Sequence, residues 1–365
     1  MSLIKVNNRG QQDTLGRRNL IINGAMQVAQ RGSTTINGAE SYGQVDRFKG
    51  YGISGGQFSL AQSTDAPAGF VRSLIATVTS ADSSIASGDY YGISHRIEGH
   101  NVARLNYGTS NAQTTTLSFY VKSSLTGTFG GAIRNSAANR SFNFSYTINS
   151  ANTWERKSYT IIGDQTGTWL QDGGIGLRVT FSLGDGSARL ASAGSWNAGN
   201  YAGVTGQTNL ISTGSATLQL TGLQLEQGTI MTDFEHRSFG EEFELCKRYY
   251  QKSFIYSQAP VNAGNTTSNS YNGNITGYCG SNNSGIYSGG QPLSPEMRAN
   301  PTMTTYGNSN GHWGQMIPTN TGTVSYSAGA GYIGHIRTNG FSVGQNISGN
   351  VLMIGFGQWT ADAEL

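Results

Sequence analysis

Residues 214–252 read "GSATLQLTGLQLEQGTIMTDFEHRSFGEEFELCKRYYQK", and the pattern changes halfway along this stretch. In the first half apolar and polar residues alternate from Leu218, the alternation slips at Gly222, and it then resumes. A period of two predicts a half-buried β-strand, and a glycine at the slip predicts a β-bulge. In the second half Ser238 and Glu241 have capping-box spacing, which predicts the start of a short helix.

The predicted helix has one apolar face. Phe239, Phe243, Cys246 and Tyr250 recur at helical spacing, so we expect a helix over 239–250. We interpret this segment as a neck whose apolar face packs on an adjacent domain or on the axis of an oligomer.

The composition favours β-structure on both sides of the neck. Only 12% of the 365 residues are charged, whereas glycine occurs 52 times, tyrosine 18 times and proline 6 times. About ten short alternating segments, such as "YYGISHRIEG" and "GIGLRVTFSLG", precede the helix, and turn residues separate them. This pattern is typical of a two-sheet jelly roll.

The sequence therefore predicts an all-β fold class, with a jelly-roll β-sandwich, a short helix and a second, smaller β-sandwich tip. We assign residues 1–18 to an N-terminal attachment arm and 19–238 to the jelly roll. Residues 239–252 form the helical neck and 253–365 the C-terminal tip.

Charge and hydropathy exclude several partners. The formal net charge is only +3 and the lysines and arginines are scattered, which argues against nucleic acid. No apolar run approaches the roughly 20 residues that span a bilayer, so we expect no membrane insertion. The start of the chain does not resemble a signal peptide, and we expect synthesis in a cytoplasm. Cys246 and Cys279 are the only cysteines, and we expect both to be reduced.

The sequence offers no pointer to catalysis. None of the five histidines has the spacing of a zinc site. The GxGxxG match at 329–334 lies in a strand-like context and indicates a glycine-rich hairpin. Asp164, Asp172 and Asp185 occur where turns favour aspartate for local backbone reasons. We therefore expect no enzyme activity.

Saccharide binding is better supported by the aromatic residues of the C-terminal region. Rigid aromatic rings among asparagine, serine and glycine suit sugar faces and sugar hydroxyls. The candidates for receptor binding are Trp313, His312, Tyr306, Tyr287 and Tyr271. The alternative is that these rings face a β core or a subunit interface.

Several stretches, taken together and in their order along the chain, resemble the module of phage tail fibre proteins and related virion proteins. They are "NLIINGAMQVAQRG" (19–32), "VDRF" (45–48), "HRIEG" (95–99), "TLSFYVKSSLTGTF" (116–129), "WERKSYTIIGDQTGTW" (154–169), "LTGLQLEQGTIMTDFEHRSFGEEFELCKRYYQKS" (220–253), "EMRANPTMTTYGN" (296–308) and "QWTADAEL" (358–365). The resemblance implies a carbohydrate-binding-module-like jelly roll and a small β tip. It also implies a homotrimer in the virion, made in the host cytoplasm, that contacts the host surface.

The opening of the module also resembles secreted carbohydrate-binding modules that begin "NLIxNGxF", which often hold a structural calcium ion. Ala25 and Met26 depart from that pattern. The oxygen donors to test for calcium are Asp46 and Glu226.

From the resemblance we expect a receptor-binding tail fibre that attaches the virion to a host glycan through its C-terminal tip. Its partners would be other copies of itself, tail or baseplate proteins at the N-terminal arm, and host surface polysaccharide. Two alternatives stay open. One is a structural head fibre, decoration or baseplate protein without receptor binding, and the other is a fibre with polysaccharide depolymerase activity.

Overall fold

The computed structural model describes residues 17–53, 55–261, 274–278, 286–287, 290–306, 313–318, 324–329, 331–345, 352–356 and 358–365. The chain divides into two compact units. One comprises Met1–Gln27 and Ser33–Ser238, and the other comprises Val28–Gly32 and Phe239–Leu365. Most of the predicted arm, residues 1–16, lies outside the described residues.

The first unit is a sandwich of two sheets, which confirms the all-β prediction. The six-stranded sheet has, in spatial order, β1 (Thr34–Ile36), β4 (Gln57–Ser63), β5 (Ser73–Ser80), β15 (Thr217–Gln227), β7 (Thr115–Ser123) and β10 (Glu155–Ile161). The seven-stranded sheet has β13 (Trp196–Asn197), β9 (Ser141–Ile148), β8 (Gly127–Arg134), β11 (Ile175–Asp185), β6 (Tyr90–Glu98), β3 (Phe48–Gly52) and β2 (Ser41–Tyr42). All pairings within these two sheets are antiparallel.

Short elements complete this unit. Strands β12 (Leu190–Ala191) and β14 (Gly203–Val204) form a parallel pair. Helix α1 (Gly99–Val102) is a single turn that follows β6. Three 3₁₀ turns cover Ala103–Leu105, Ser187–Arg189 and Leu210–Ser212.

The second unit contains helix α2 (Phe239–Lys247) and three small sheets. The first sheet orders β16 (Tyr250–Lys252), β26 (Gln358–Asp362) and β20 (Thr302–Tyr306). The second orders β17 (Asn274–Tyr278), β25 (Leu352–Phe356), β21 (Trp313–Pro318) and β22 (Val324–Gly329). The third has β18 (Ile286–Tyr287), β24 (Gly340–Gln345) and β19 (Gln291–Pro292), with β23 (Gly331–Arg337) also paired to β24.

The bulge predicted in β15 is confirmed. Register against β7 shifts between Thr221 and Gln224, and Gly222 has a φ of +60°. A Cβ on Gly222 would also lie 2.7 Å from the Phe70 ring, so both the backbone conformation and the space favour glycine.

The predicted helix is shorter than expected, and its end needs correction. Helix α2 stops at Lys247, and Tyr250 lies in β16 opposite Asp362 instead of on the helix face. Cys246 is buried on the helix, as expected. Tyr250 adopts strand conformation because pairing with β26 satisfies its backbone hydrogen-bonding groups. This pairing is a contact between distant parts of the sequence, and helical periodicity does not reveal it.

A segment from the start of the chain belongs to the second unit. Arg31 stacks on the Tyr250 ring, with its guanidinium carbon 3.6 Å from the ring centroid. Its Nη2 atom lies 3.3 Å from both Asp362 and Glu364 carboxylate oxygens. Lys252 Nζ also donates to the Gln30 carbonyl at 2.8 Å. These contacts fix residues 28–32 there, although nothing in the sequence signals it.

No helix in the described part of the chain is long and apolar enough to cross a bilayer.

The core of the sandwich lies between its two sheets and is rich in aromatic rings. Phe181 of β11 meets Phe119 of β7 edge-on at 4.9 Å between ring centroids, and it also contacts Phe144 and Tyr146 of β9. All four side chains are buried. Phe181 therefore couples the two sheets.

Replacing Phe181→Ala should lower the free energy of unfolding by about 3–5 kcal/mol, because the lost ring leaves a cavity between the sheets. Chemical denaturation followed by tryptophan fluorescence measures this. Ile162→Ala is the control, since Ile162 is 66% exposed, and its effect should stay within about 0.5 kcal/mol. Equal losses in the two variants would contradict the assignment of Phe181 to the core.

Candidate functional site

Polar side chains lie on the outer face of the seven-stranded sheet, because successive residues of its strands alternate between the core and the outer surface. In β6, Tyr91, Ile93 and His95 point into the core, so Tyr90 and Ser94 lie on the opposite face. Arg178 in β11 and Arg134 in β8 lie on the same outer face by the same alternation.

The strand register brings three arginines into one line. Arg178 of β11 is directly opposite Arg96 of β6 on one side and Arg134 of β8 on the other. The Cα atoms of directly opposed residues in antiparallel strands are about 4.5–5.5 Å apart. Like charges in such positions destabilise a sheet. We call these three residues the arginine row.

The arginine row is held in place by partners on both sides. Arg134 Nη1 donates to Asn200 Oδ1 at 2.6 Å, and Arg178 Nη2 donates to the Ser136 carbonyl at 2.9 Å. Arg96 Nη2 donates to Glu40 Oε2 at 2.8 Å. The guanidinium groups are therefore oriented by the protein before any ligand arrives.

Glu40 is the local counter-charge, and it is shared. Its Oε2 atom lies 2.7 Å from Lys49 Nζ as well as 2.8 Å from Arg96 Nη2. Burial alone would raise the pKa of Glu40, but the hydrogen bond from Lys49 and the nearby positive charges lower it overall. Burial, followed by the charges of Arg96 and Arg134, lowers the pKa of Arg178 to about 10. The site therefore carries an excess of positive charge.

A cavity of about 120 Å³ opens over the arginine row. Its lining is Glu40, Tyr51, Tyr90, Ser94, Arg96, Arg134, Ala138, Arg178, Arg189, Asn200 and Ala202. We call this cavity the cleft. The Tyr51 and Tyr90 rings lie 5.9 Å apart, and the Arg189 guanidinium carbon lies 5.1 Å from the centroid of the Tyr90 ring. Polar donors and aromatic rings therefore share one small opening.

Several buried polar atoms in the cleft have no hydrogen-bond partner within the described residues, among them Tyr51 Oη, Ser94 Oγ, Arg134 Nε and Arg178 Nε. Ser94 is 3% exposed and Arg134 is 8% exposed, so bulk water does not satisfy them readily. Buried donors without partners are uncommon and each needs an explanation. A ligand that supplies acceptor oxygens would provide one.

A polar network lies behind the cleft. The Ser182 hydroxyl donates to Asp185 Oδ2. The Gln207 amide donates to Ser182 Oγ at 2.6 Å. Burial raises the pKa of Asp185 to about 7, although the Ser182 hydrogen bond and the charge of Arg134 oppose the shift. With this pKa, the Asp185 carboxyl changes its protonation state near physiological pH.

The structure places only some of the residues predicted from sequence to bind a receptor. Tyr306 ends β20, and its half-buried ring meets Phe254 edge-on at 5.3 Å. Trp313 begins β21 and Tyr287 ends β18, but their side chains lie outside the described part of the structure. His312 and Tyr271 also lie outside the described residues. Receptor binding by these residues stays a prediction.

The calcium donors suggested by resemblance do not fit a cation at Glu226. Its carboxylate accepts hydrogen bonds from the Thr232 amide at 2.9 Å and the Thr232 hydroxyl at 2.7 Å. Arg18 Nε also lies 3.4 Å from Oε2 and already supplies positive charge. Asp46 is fully buried, and no group of three or more metal-ligating residues occurs among the described residues. Calcium stays an untested prediction.

Sequence reasoning missed the arginine row. The three arginines come from separate segments, "YYGISHRIEG", "GTFGGAIR" and "GIGLRVTFSLG", and each alone is an ordinary outward residue of a strand. Their outward position was readable from the alternation with core residues. Their alignment was not, because strand order and register decide it.

No protein-family model matches the chain, and no curated protein matches it. Among solved structures, the chain is similar to an arabinose-bound α-L-arabinofuranosidase, with a TM-score of 0.36, 11% identity, and coverage of 58% of this chain and 27% of the enzyme. It is similar to the enzymatically active domain of bacteriophage CBA120 tailspike protein 4, with a TM-score of 0.32 and 12% identity. That match covers 57% of this chain and 21% of the tailspike chain. It is also similar to a family 4 carbohydrate-binding module, with a TM-score of 0.29 and 12% identity. That match covers 57% of this chain and 99% of the module.

The chain thus spans well under two thirds of the first two structures, the arabinofuranosidase and the tailspike domain. At these identities and TM-scores the similarity supports no conclusion about the function of this chain. The neighbours include carbohydrate-binding modules.

Asp185 should make stability depend on pH. Between about pH 4 and about pH 7 the folded protein keeps a proton on Asp185 that the unfolded chain has released, so the free energy of unfolding should fall as pH rises through this window. Asp185→Asn should remove that component. Denaturation of both proteins at several pH values measures it. A stability difference between them that does not change from pH 4 to pH 7 would contradict the raised pKa.

Proposed function

We propose that this protein is a receptor-binding tail fibre of a bacteriophage, and that it binds a saccharide of the host surface in the cleft. The observation that carries the saccharide-binding part of the proposal is the cleft itself. It combines two tyrosine rings with unpartnered, buried hydrogen-bond donors on the outer face of a rigid sheet.

The lining of the cleft suits a hydroxylated ligand better than an apolar one. Apart from the tyrosine rings and two alanines, its residues are charged or carry amide or hydroxyl groups. Pockets for apolar small molecules have mainly hydrophobic walls with few polar groups. Tyrosine rings supply a flat apolar surface at low entropic cost, and fixed polar groups meet sugar hydroxyls.

We also propose that the protein acts by binding and not by hydrolysis. Asp164, one candidate carboxylate, makes two hydrogen bonds with Arg140, from Nε at 2.8 Å and from Nη2 at 2.7 Å. It also accepts from the Thr166 amide at 3.2 Å. Glu226 is held by Thr232 and Arg18. These carboxylates serve the fold, which supports a role without a carboxylate pair for glycoside hydrolysis.

The tail-fibre role rests on the sequence resemblance, and assembly as a homotrimer is part of this proposal. A single shallow site binds a saccharide weakly, and three linked sites on one fibre would raise the overall affinity without new contacts. Docking of the N-terminal arm on tail or baseplate proteins would fix the fibre to the virion.

The aromatic residues of α2 support the assembly part of the proposal. Phe239 and Phe243 stack at 5.9 Å between ring centroids, and the Tyr256 ring meets both edge-on at 5.4 and 5.5 Å. Phe239 is 45% exposed and Tyr256 is 37% exposed. A partly exposed aromatic cluster of this kind is typical of a protein interface.

Tyr90→Ala should weaken saccharide binding roughly tenfold, because it removes one ring of the cleft. Binding of the purified protein to an array of bacterial surface polysaccharides measures this. Tyr120→Ala is the matched control, since Tyr120 is a half-buried tyrosine of the other sheet. Binding that survives Tyr90→Ala but is lost in Trp313→Ala would move the site to the C-terminal region.

Phe243→Asp should give soluble protein that no longer forms a trimer, because a carboxylate would be desolvated within the aromatic cluster. Light scattering measures the mass in solution. Glu244→Ala on the same helix is the control and should leave the mass unchanged, since the Glu244 side chain is 56% exposed. A wild-type protein of monomer mass, or a Phe243→Asp variant that is still trimeric, would count against the neck as an assembly element.

A further inference from the structure

We infer that the ligand of the cleft is an acidic saccharide, whose oxyanion, a carboxylate or a phosphate, binds on the arginine row. This inference rests on the proposed function, because it names the class of saccharide that the same site would take. The arginine row, its shared counter-charge and its unpartnered donors carry it.

The cleft has more positive charge than its own residues neutralise. Four arginines line it, and Glu40 is the single carboxylate among its described lining residues. Glu40 is divided between Arg96 and Lys49, and it contacts neither Arg134 nor Arg178 within ion-pair distance in the described structure. A negative group on the ligand would supply a counter-charge for Arg134 and Arg178, and a neutral sugar would not bring one.

The line of arginines is costly for the fold alone. Three like charges face each other across neighbouring strands, and Arg96 and Arg134 are each only 8% exposed. Buried charges lose hydration, and the repulsion between them is screened less than at an exposed surface. The lowered pKa of Arg178 expresses the same cost, since burial and its two arginine neighbours disfavour its charged form. A bound oxyanion would offset both the lost hydration and the repulsion between the arginines.

The donor geometry matches an oxyanion. Arg134 and Arg178 each use one terminal nitrogen on the protein and keep Nε without a partner, and Ser94 Oγ is also unpartnered. Guanidinium groups present several N–H donors in one plane, which suits the paired oxygens of a carboxylate or phosphate. Three buried donors around one cavity can be satisfied together by a single group of this kind.

The size of the cleft and its rings favour an anion carried on a sugar over a free ion. Its volume of about 120 Å³ is several times what one water molecule needs. Tyr51 and Tyr90 line the cavity together with the arginine row, so a ring that carries the oxyanion could contact them. The Arg189 guanidinium beside Tyr90 adds positive charge on that side.

The test uses the full-length protein and sugar pairs that differ at C6, where one member carries an anionic group and the other a hydroxymethyl group. The pairs are galacturonate with galactose, glucuronate with glucose, and glucose 6-phosphate with glucose, and the same comparison is made between acidic and neutral polysaccharides on an array. We expect thermal stabilisation and binding by acidic members, with weaker binding as the NaCl concentration rises. The uronates and the sugar phosphate distinguish the two kinds of oxyanion.

Arg178→Gln should reduce binding of the acidic saccharide at least tenfold. Without ligand it should raise the melting temperature, on the order of 2 °C, because it removes the central charge of the row. A purely structural arginine would lower the melting temperature when replaced. Arg72→Gln is the matched control, since Arg72 is a half-buried arginine just before β5 of the other sheet. Its side chain donates to the adjacent Val71 carbonyl, and its replacement should change neither quantity.

The outcomes separate this inference from the proposed function. Binding of neutral saccharides alone, or acidic binding that survives Arg178→Gln, would overturn the inference and leave a saccharide-binding fibre. If no saccharide of either kind binds, on the array or in solution, both fail.

Discussion

Register between β6, β11 and β8 is the constraint on which the rest of the sandwich depends. Successive residues of a strand face opposite sides, so a single pairing decides the core and the outer surface together. With Phe181 opposite Ile93, apolar side chains of the central strand fill the space between the sheets. The same pairing necessarily places Arg178 opposite Arg96. Core and cleft are two consequences of one arrangement.

This coupling explains why the charged row can persist. A slip by one residue would relieve the arginines only by turning Phe181 and Val179 outward and burying Arg178 and Thr180 in the core. Loss of that core would cost far more than the repulsion between outward charges. The hydrophobic core therefore holds the arginines in a position that they would not adopt by themselves.

The second unit depends on contacts that are distant in sequence. Strand β26, near the end of the chain, pairs with both β16 and β20, and Arg31 joins this sheet from the start of the chain through Asp362 and Tyr250. These contacts explain why the helix ends at Lys247. Its aromatic face is nevertheless formed as expected by Phe239 and Phe243, because that face depends only on spacing along one helix.

The sequence by itself determined the all-β class, most strand positions, the bulge at Gly222 and the start of the helix. These features follow from local periodicity and from backbone conformations that particular residues favour. The outward position of Arg96, Arg134 and Arg178 is also a local property, since each alternates along its strand with apolar neighbours, but the sequence alone predicted no site there. Only the tertiary structure decided that the three are adjacent. Strand order and register are set by packing between distant segments, and periodicity within one segment carries no information about them.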